Sequence, residues 1–417
     1  MAVDTQKSRL WIVSELYYPE LTSTGYYITA IAESLASEAD VWVICGQPNY
    51  SARGQLAKKN EERNNVKIAR VWGLRLDKNV IVFRLLNMLT LSLAVLIKSL
   101  TSFKSGDTVL VTTTPPVLPI VAALAALMRG GGYTILIHDV YPEELYATGI
   151  LRKGSVLSTL IELVQRWSYK HASSLICVGR DMKELLEKKI GDLNVPIFFI
   201  PNWGETDEIK PEPREQNRLL KELGLEDNFV ILYAGNFGRP NDLETIASAA
   251  KSLRGEQKVQ FLFIGAGARE KWLREVTADL SNVLILPPMP RSEQQLFLNA
   301  CDVAIASLVN GMWGAAVPSR IYNYLAAGKP ILAICEPGSE MARLLDEDHV
   351  GKWVKPDDAD GFVQAIREIL DSPETLSLMG RNARASAVNK YSPAAVLPTF
   401  REVLINTKIV RGDSTVR

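Results

Sequence analysis

Short apolar runs, each closed by a turn and followed by a helical pattern, recur along this chain, and that recurrence limits what it can fold into. Leu10-Trp11-Ile12-Val13 is the first, leading through a polar loop over 18–25 into a helix predicted over 26–37. Runs at 41–44, 66–71, 108–113, 133–137, 174–178 and 195–200 have the length and composition of strands buried on both faces. Parallel strands need long crossovers, and the intervening helical patterns supply them. The series pauses at Pro201-Asn202-Trp203-Gly204 and at a linker over 205–215 rich in Pro, Glu and Lys. It then starts again, with strands predicted at 229–233, 259–264, 283–286, 303–306, 330–334 and 350–354. The expected architecture is α/β: two doubly wound Rossmann-like domains, 1–202 and 203–390, with their ligand edges facing across a cleft. Residues 391–417 are expected to pack back on the first domain.

Composition excludes some functions. Lys plus Arg and Asp plus Glu both number 47, so the net charge is zero, which argues against a nucleic-acid partner. Cys45, Cys177, Cys301 and Cys335 lie far apart without a C-x-x-C pair and are expected to be reduced core thiols. The acidic loop Asp357-Asp358-Ala359-Asp360 has no flanking ligands and reads as a helix cap, so no metal is expected there. The start of the chain lacks a long apolar core before the first strand, and a cytoplasmic location is expected. Arg84 and Lys98 bracket an apolar stretch over 85–97 that reads as too short to cross a bilayer. A core-facing helix and an interfacial helix both remain open for it.

The stretch 308–334 carries the sharpest chemical signal. Gly314, Ala315 and Ala316 have little or no side chain, so a bulky ligand can approach their backbone N–H groups. Ser319 is the expected N-cap of the helix that follows, and Arg320 adds a fixed positive charge. Together they read as a diphosphate seat, although a Gly/Ala turn also suits close helix–sheet packing. Gly235, Asn236 and Arg239 follow the second domain's first strand, where a tight turn lets backbone approach phosphate. On the first domain, His138, Asp139, Tyr141 and Glu143 lie just beyond the strand 133–137, and Arg180 just beyond 174–178. Thr24 and Gly25 open that domain's first helix.

The segments Ile200-Pro201-Asn202-Trp203, Tyr233-Ala234-Gly235-Asn236-Phe237-Gly238 and Val317-Pro318-Ser319-Arg320-Ile321-Tyr322-Asn323, the last followed by Leu325-Ala326-Ala327-Gly328-Lys329-Pro330, occur together. In combination the chain resembles glycosyltransferase family 4, of GT-B fold, over nearly its whole length. It resembles in particular the branch that builds colanic acid, capsule and O-antigen in bacteria. The resemblance implies a retaining, metal-independent transfer of a sugar from a nucleotide-sugar, UDP- or GDP-linked, to a glycan or polyprenyl-diphosphate-linked acceptor. It also implies a peripheral place at the cytoplasmic face of the inner membrane.

On that analogy the donor side comprises Gly235, Asn236, Arg239, Met289, Gly314, Ala315, Ala316, Ser319 and Asn323, and the acceptor side Thr24, Gly25, Tyr141 and Glu143. Arg180 and Arg320 would stabilise the departing diphosphate, and Asp139 with His138 would position the incoming hydroxyl or accept its proton. The family's usual Glu pair is replaced by Ala315 and Asn323, and its usual Arg by Asn236. Two alternatives stay open: a sugar-nucleotide 2-epimerase of the same fold, and an inactive nucleotide-sugar-binding scaffold subunit.

Overall fold

The computed structural model describes residues 8–48, 56–76, 81–256 and 258–405. The first sheet contains β1 (Arg9–Val13), β2 (Asp40–Cys45), β3 (Asn60–Arg63), β4 (Val66–Arg70), β5 (Thr108–Thr112), β6 (Gly132–Ile137), β7 (Ser174–Cys177) and β8 (Ile197–Phe199). Its order is β3-β4-β2-β1-β5-β6-β7-β8. All its pairings are parallel except that of β3 with β4. The second contains β9 (Phe229–Asn236), β10 (Val259–Ala266), β11 (Val283–Leu286), β12 (Val303–Ser307), β13 (Ile331–Ile334) and β14 (Gly351–Val354). Its order, β11-β10-β9-β12-β13-β14, is wholly parallel and reverses direction between β9 and β12.

One strand escapes the apolar-run criterion. β3 is Asn60-Glu61-Glu62-Arg63, with no apolar side chain, and it lies at the sheet edge. Its pairing comes from the turn Asn64-Asn65, whose φ angles of 46° and 62° match the twist of a tight hairpin. The first helix runs Ser23–Leu35, three residues earlier than its apolar pattern predicts, because its first turn faces the cleft.

The domain crossing is anchored by Trp203, which is fully buried. Its ring meets that of Tyr27 at 4.7 Å edge-on, and its carbonyl accepts from the Tyr27 hydroxyl at 2.9 Å. The last helix, Pro393–Leu404, returns to the first domain: Phe400 packs on Trp203 and Arg401 pairs with Glu38 at 2.9 Å.

The helix Ile81–Ser102 is longer than the thirteen-residue apolar stretch. Over Val82–Ser102 it is long and apolar enough, by length and composition, to cross a bilayer, which corrects the expectation that it is too short. Leu91 and Val95 pack into the first domain's core, so the helix lies along the sheet.

Candidate active site

In a doubly wound sheet the crevice opens where strand order reverses. Here β9 and β10 extend past their neighbours there, ending in Gly235-Asn236 and Gly265-Ala266. Both glycines are required. A Cβ on Gly265 would lie 1.9 Å from the Gly235 carbonyl oxygen, and one on Gly235 would lie 3.2 Å from the Arg320 guanidinium carbon.

A cavity of about 420 Å³ stands over this point, within the size range of a small-molecule site. Gly235, Asn236, Met289, Ser319, Arg320 and Asn323 all line it, so six of the predicted residues converge. Ser23 and Tyr27 close it from the first domain, placing Thr24 and Gly25 beside it on the same helix turn. A larger depression of about 610 Å³ along the helix Glu270–Val276 is lined by that helix's charged face and receives nothing from the first domain.

Arg320 dominates the cavity's electrostatics. Its guanidinium lies 4.6 Å over the Tyr233 ring, and its Nη2 donates to Asn241 Oδ1 at 3.2 Å. Its Nη1 is buried without a hydrogen-bond partner, and among the described residues no carboxylate pairs with it. Burying an arginine costs several kcal/mol unless an anion answers it. The cavity is where that anion fits.

None of His138, Asp139, Tyr141 and Glu144 lines that cavity; they cluster on the first domain, beside the backbone junction with Ala315 and Ala316. The backbone N–H of His138 donates to Thr113 Oγ1 at 3.2 Å. The His138 Nε2 is buried without a partner, and burial pushes the imidazole pKa down to about 4, so the ring is neutral near pH 7. Burial and then the Glu144 charge raise the pKa of Asp139 above the ordinary carboxylate range. Tyr141 lies against the Glu144 carboxyl, whose Oε2 is buried and unpartnered. Asp139 also forms an isolated antiparallel bridge with Ala316, and the Val140 N–H donates to the Ala315 carbonyl at 2.8 Å. The two domains are thus joined by backbone directly beside the cluster.

The family described as "Glycosyl transferases group 1" matches residues 215–386. A curated relative, the probable glycosyltransferase WbjE of Pseudomonas aeruginosa, is 30% identical over 408 residues, covering 96% of this chain and 100% of WbjE. The chain belongs to the group 1 glycosyl transferases. WcaI of Escherichia coli, described as a putative colanic acid biosynthesis glycosyl transferase, is 25% identical over 86% of this chain and 91% of its own. Sucrose-phosphate synthase from Thermosynechococcus elongatus superimposes with a TM-score of 0.75 at 14% identity, covering 97% of this chain and 100% of the synthase. HepE of Anabaena in complex with UDP superimposes at 0.70 and 15% identity, covering 96% and 100%. These neighbours establish the GT-B fold.

Several expected site residues of this transferase are committed elsewhere. Arg180 does not reach the cavity: its Nε donates to Glu340 at 2.9 Å and its Nη1 to Glu347 at 2.7 Å, across the domain interface. Two carboxylates already neutralise it, so it is a clamp between domains and not a free phosphate cation. The Gly314-Ala315-Ala316 turn is no open seat either. Gly314 N–H donates to Asp181 Oδ2 at 3.0 Å, its φ is 70°, and a Cβ would stand 2.9 Å from the Asp181 carbonyl. The small residues there permit close approach of the other domain, the packing alternative left open by sequence. Ser319 is not a side-chain cap, since it sits in helical geometry and its hydroxyl bonds no helix N–H.

Asn323 lines the cavity, but its Oδ1 accepts the Glu205 N–H at 3.0 Å and so fixes the linker. Arg239 is exposed beyond the Gly235 turn and does not line the cavity. Glu143 pairs with Lys189 at 2.6 Å, which turns it away from the cluster.

Arg291 was missed by sequence reasoning. It lines the cavity, stacks 4.0 Å over the Tyr26 ring and pairs with the buried Glu205. It follows the carboxyl end of β11, so the rule that singled out Gly235 could have found it.

Arg180→Ala is expected to lower stability by about 2 to 3 kcal/mol, because Glu340 stays buried without its partner; the solvent exposure of Arg180 keeps the cost below that of a fully buried pair. Thermal unfolding reads the loss, and titration calorimetry of a UDP-sugar should stay within about twofold of wild type. A large loss of donor affinity would return Arg180 to the donor site.

Proposed function

We propose that this chain is a retaining glycosyltransferase of bacterial surface-polysaccharide synthesis that needs no metal ion. Its donor is a UDP-sugar, with a GDP-sugar as the competing choice. Its acceptor is a glycan or a polyprenyl-diphosphate-linked sugar at the cytoplasmic face of the inner membrane. The names of WbjE and WcaI support the process, and the UDP and UDP-glucose complexes of HepE support the donor. The observation that carries the reading is Arg320, a guanidinium with no paired carboxylate among the described residues, in the wall of a cavity at the sheet's reversal point.

Cleavage of a sugar–phosphate bond leaves growing negative charge on the diphosphate, and a preorganised donor aimed there contributes most in a water-poor site. Asn236 and the backbone of Gly235 border the same space, while Met289 and the Phe297 ring offer apolar surface for a base.

Transfer from a UDP-sugar is expected to continue within about twofold of its full rate after treatment with EDTA, because the arginine takes the place of a Lewis acid. Loss of turnover on chelation, restored by Mg²⁺ or Mn²⁺, would overturn metal independence. Mass analysis of the products separates the alternatives: donor isomerised without acceptor identifies an epimerase, and donor bound but unchanged a scaffold.

A further inference from the structure

Large apolar side chains are exposed on one side of this molecule. On the helix Ile81–Ser102, Leu85, Leu89, Leu93 and Ile97 recur every four residues and are 49 to 60% exposed, while Leu91 and Val95 face the core. A helix that is apolar all round belongs in a protein interior or against lipid, and here only 28% of its apolar window is buried. Beside it lies the helix Leu118–Met128, which exposes Leu127 and Met128, and beyond that the helix Val156–Lys170, exposing Val156, Leu160 and Leu163. The second domain, by contrast, exposes only Val276, Leu378 and Val388 among its described large apolar residues. A contiguous apolar face of this extent is an interaction site, not ordinary surface.

Charge around the face selects the partner. Arg84, Lys98, Arg129, Arg152, Lys153 and Lys170 flank these helices, and apart from Arg84, whose charge acts on Glu144, none is paired with a carboxylate among the described residues. The three helices carry a single acidic residue, Glu162. The whole chain has zero net charge, so this one-sided excess is local. A second copy of the chain meeting the face about a twofold axis would bring basic rim against basic rim. An anionic lipid surface matches both the apolar centre and the cationic edge.

We infer that the helices Ile81–Ser102, Leu118–Met128 and Val156–Lys170 form a face that docks on an anionic lipid bilayer, the first of them lying in the interface plane. The inference deepens the proposed use of a lipid-linked acceptor and rests on that reading for its purpose. Arg84 ties the face to the chemistry. It stands at the start of the long helix, and its charge acts on Tyr141 and Glu144 of the first-domain cluster.

Flotation of the full chain with vesicles tests this. Vesicles containing phosphatidylglycerol are expected to carry the chain, and pure phosphatidylcholine vesicles to carry at least about tenfold less. Leu89→Ser with Leu93→Ser, or Leu160→Ser with Leu163→Ser, is expected to cut binding about tenfold or more. These side chains are exposed, so the thermal unfolding midpoint should hold. Arg152→Glu with Lys153→Glu should reduce binding by a similar factor and flatten its salt dependence. Absence of the chain from anionic vesicles, equal recovery on neutral ones, indifference to the serine variants, or a dimer in light scattering abolished by those variants would each overturn the docking face. A UDP titration on the same preparation keeps the two readings apart: UDP binding without vesicle binding removes the face and leaves the donor site standing.

Discussion

Arg320→Ala is expected to lower kcat by two to three orders of magnitude while leaving the protein close to wild type in stability. The two halves of this expectation rest on one observation. The guanidinium is held over Tyr233 and by Asn241, with one nitrogen buried and unpartnered and no carboxylate beside it among the described residues. Desolvation of that unneutralised charge offsets the ring contact and the Asn241 hydrogen bond lost with it, so its removal leaves stability close to that of wild type. In the transition state the same charge faces the developing diphosphate, and its removal is felt in full.

An arginine serving only the fold would show the reverse pattern, with a lower unfolding midpoint and intact turnover. Arg320→Lys sharpens the test, because an ammonium keeps the charge but loses the planar fork that rests on Tyr233 and reaches Asn241. It is expected to recover part of the rate and little of the UDP affinity. Steady-state kinetics beside calorimetry reads both, and wild-type turnover in the alanine variant would remove Arg320 from the mechanism.

The parts of this fold legible in sequence are those governed by local pattern. The apolar runs 10–13 and 229–233 announce central strands because parallel strands are buried on both faces, and the glycines after β9 announce close backbone approach. Arg320 and Gly235 could be paired from sequence because both follow strand ends at the reversal point of one sheet.

What was not legible depends on the other domain. Arg180 sits beyond a strand end as a phosphate-binding residue would, yet its partners Glu340 and Glu347 are some 160 residues away in sequence. Gly314 has the small side chain of a ligand loop, but Asp181 takes its N–H. A residue facing the cleft can meet a ligand or the opposite wall, and local composition is the same in both cases. Polar β3 fails for a different reason, since an edge strand specified by its turn needs no apolar pattern.

Asp139→Asn separates a chemical role from a structural one, and the sign of its pH dependence can be fixed in advance. Burial, reinforced by the Glu144 charge, raises the folded-state pKa of Asp139 above its unfolded value near 3.8. Between those two values the folded chain retains a proton that the unfolded chain has released, so stability falls as pH rises through that window. His138 has the opposite sign: its folded pKa near 4 lies below the ordinary 6.5, so stability from the neutral ring is lost as pH falls from 6.5 toward 4.

Above pH 6.5 the histidine no longer contributes; burial also raises the pKa of Glu144 and Glu205, so the aspartate's share of the slope is read as the difference between variant and wild type. The asparagine variant is therefore expected to gain on wild type in unfolding midpoint as pH is raised from 6.5, until the folded-state value is passed. The bridge to Ala316 is made by backbone, so it survives the substitution and the cleft keeps its shape. Turnover is expected to drop by about two orders of magnitude with the donor KM unchanged, the loss typical of a removed proton-handling group. If the rate is preserved while the pH slope disappears, Asp139 only tolerates burial at the domain junction, and the incoming hydroxyl is positioned by Glu144 or by the donor's own phosphate.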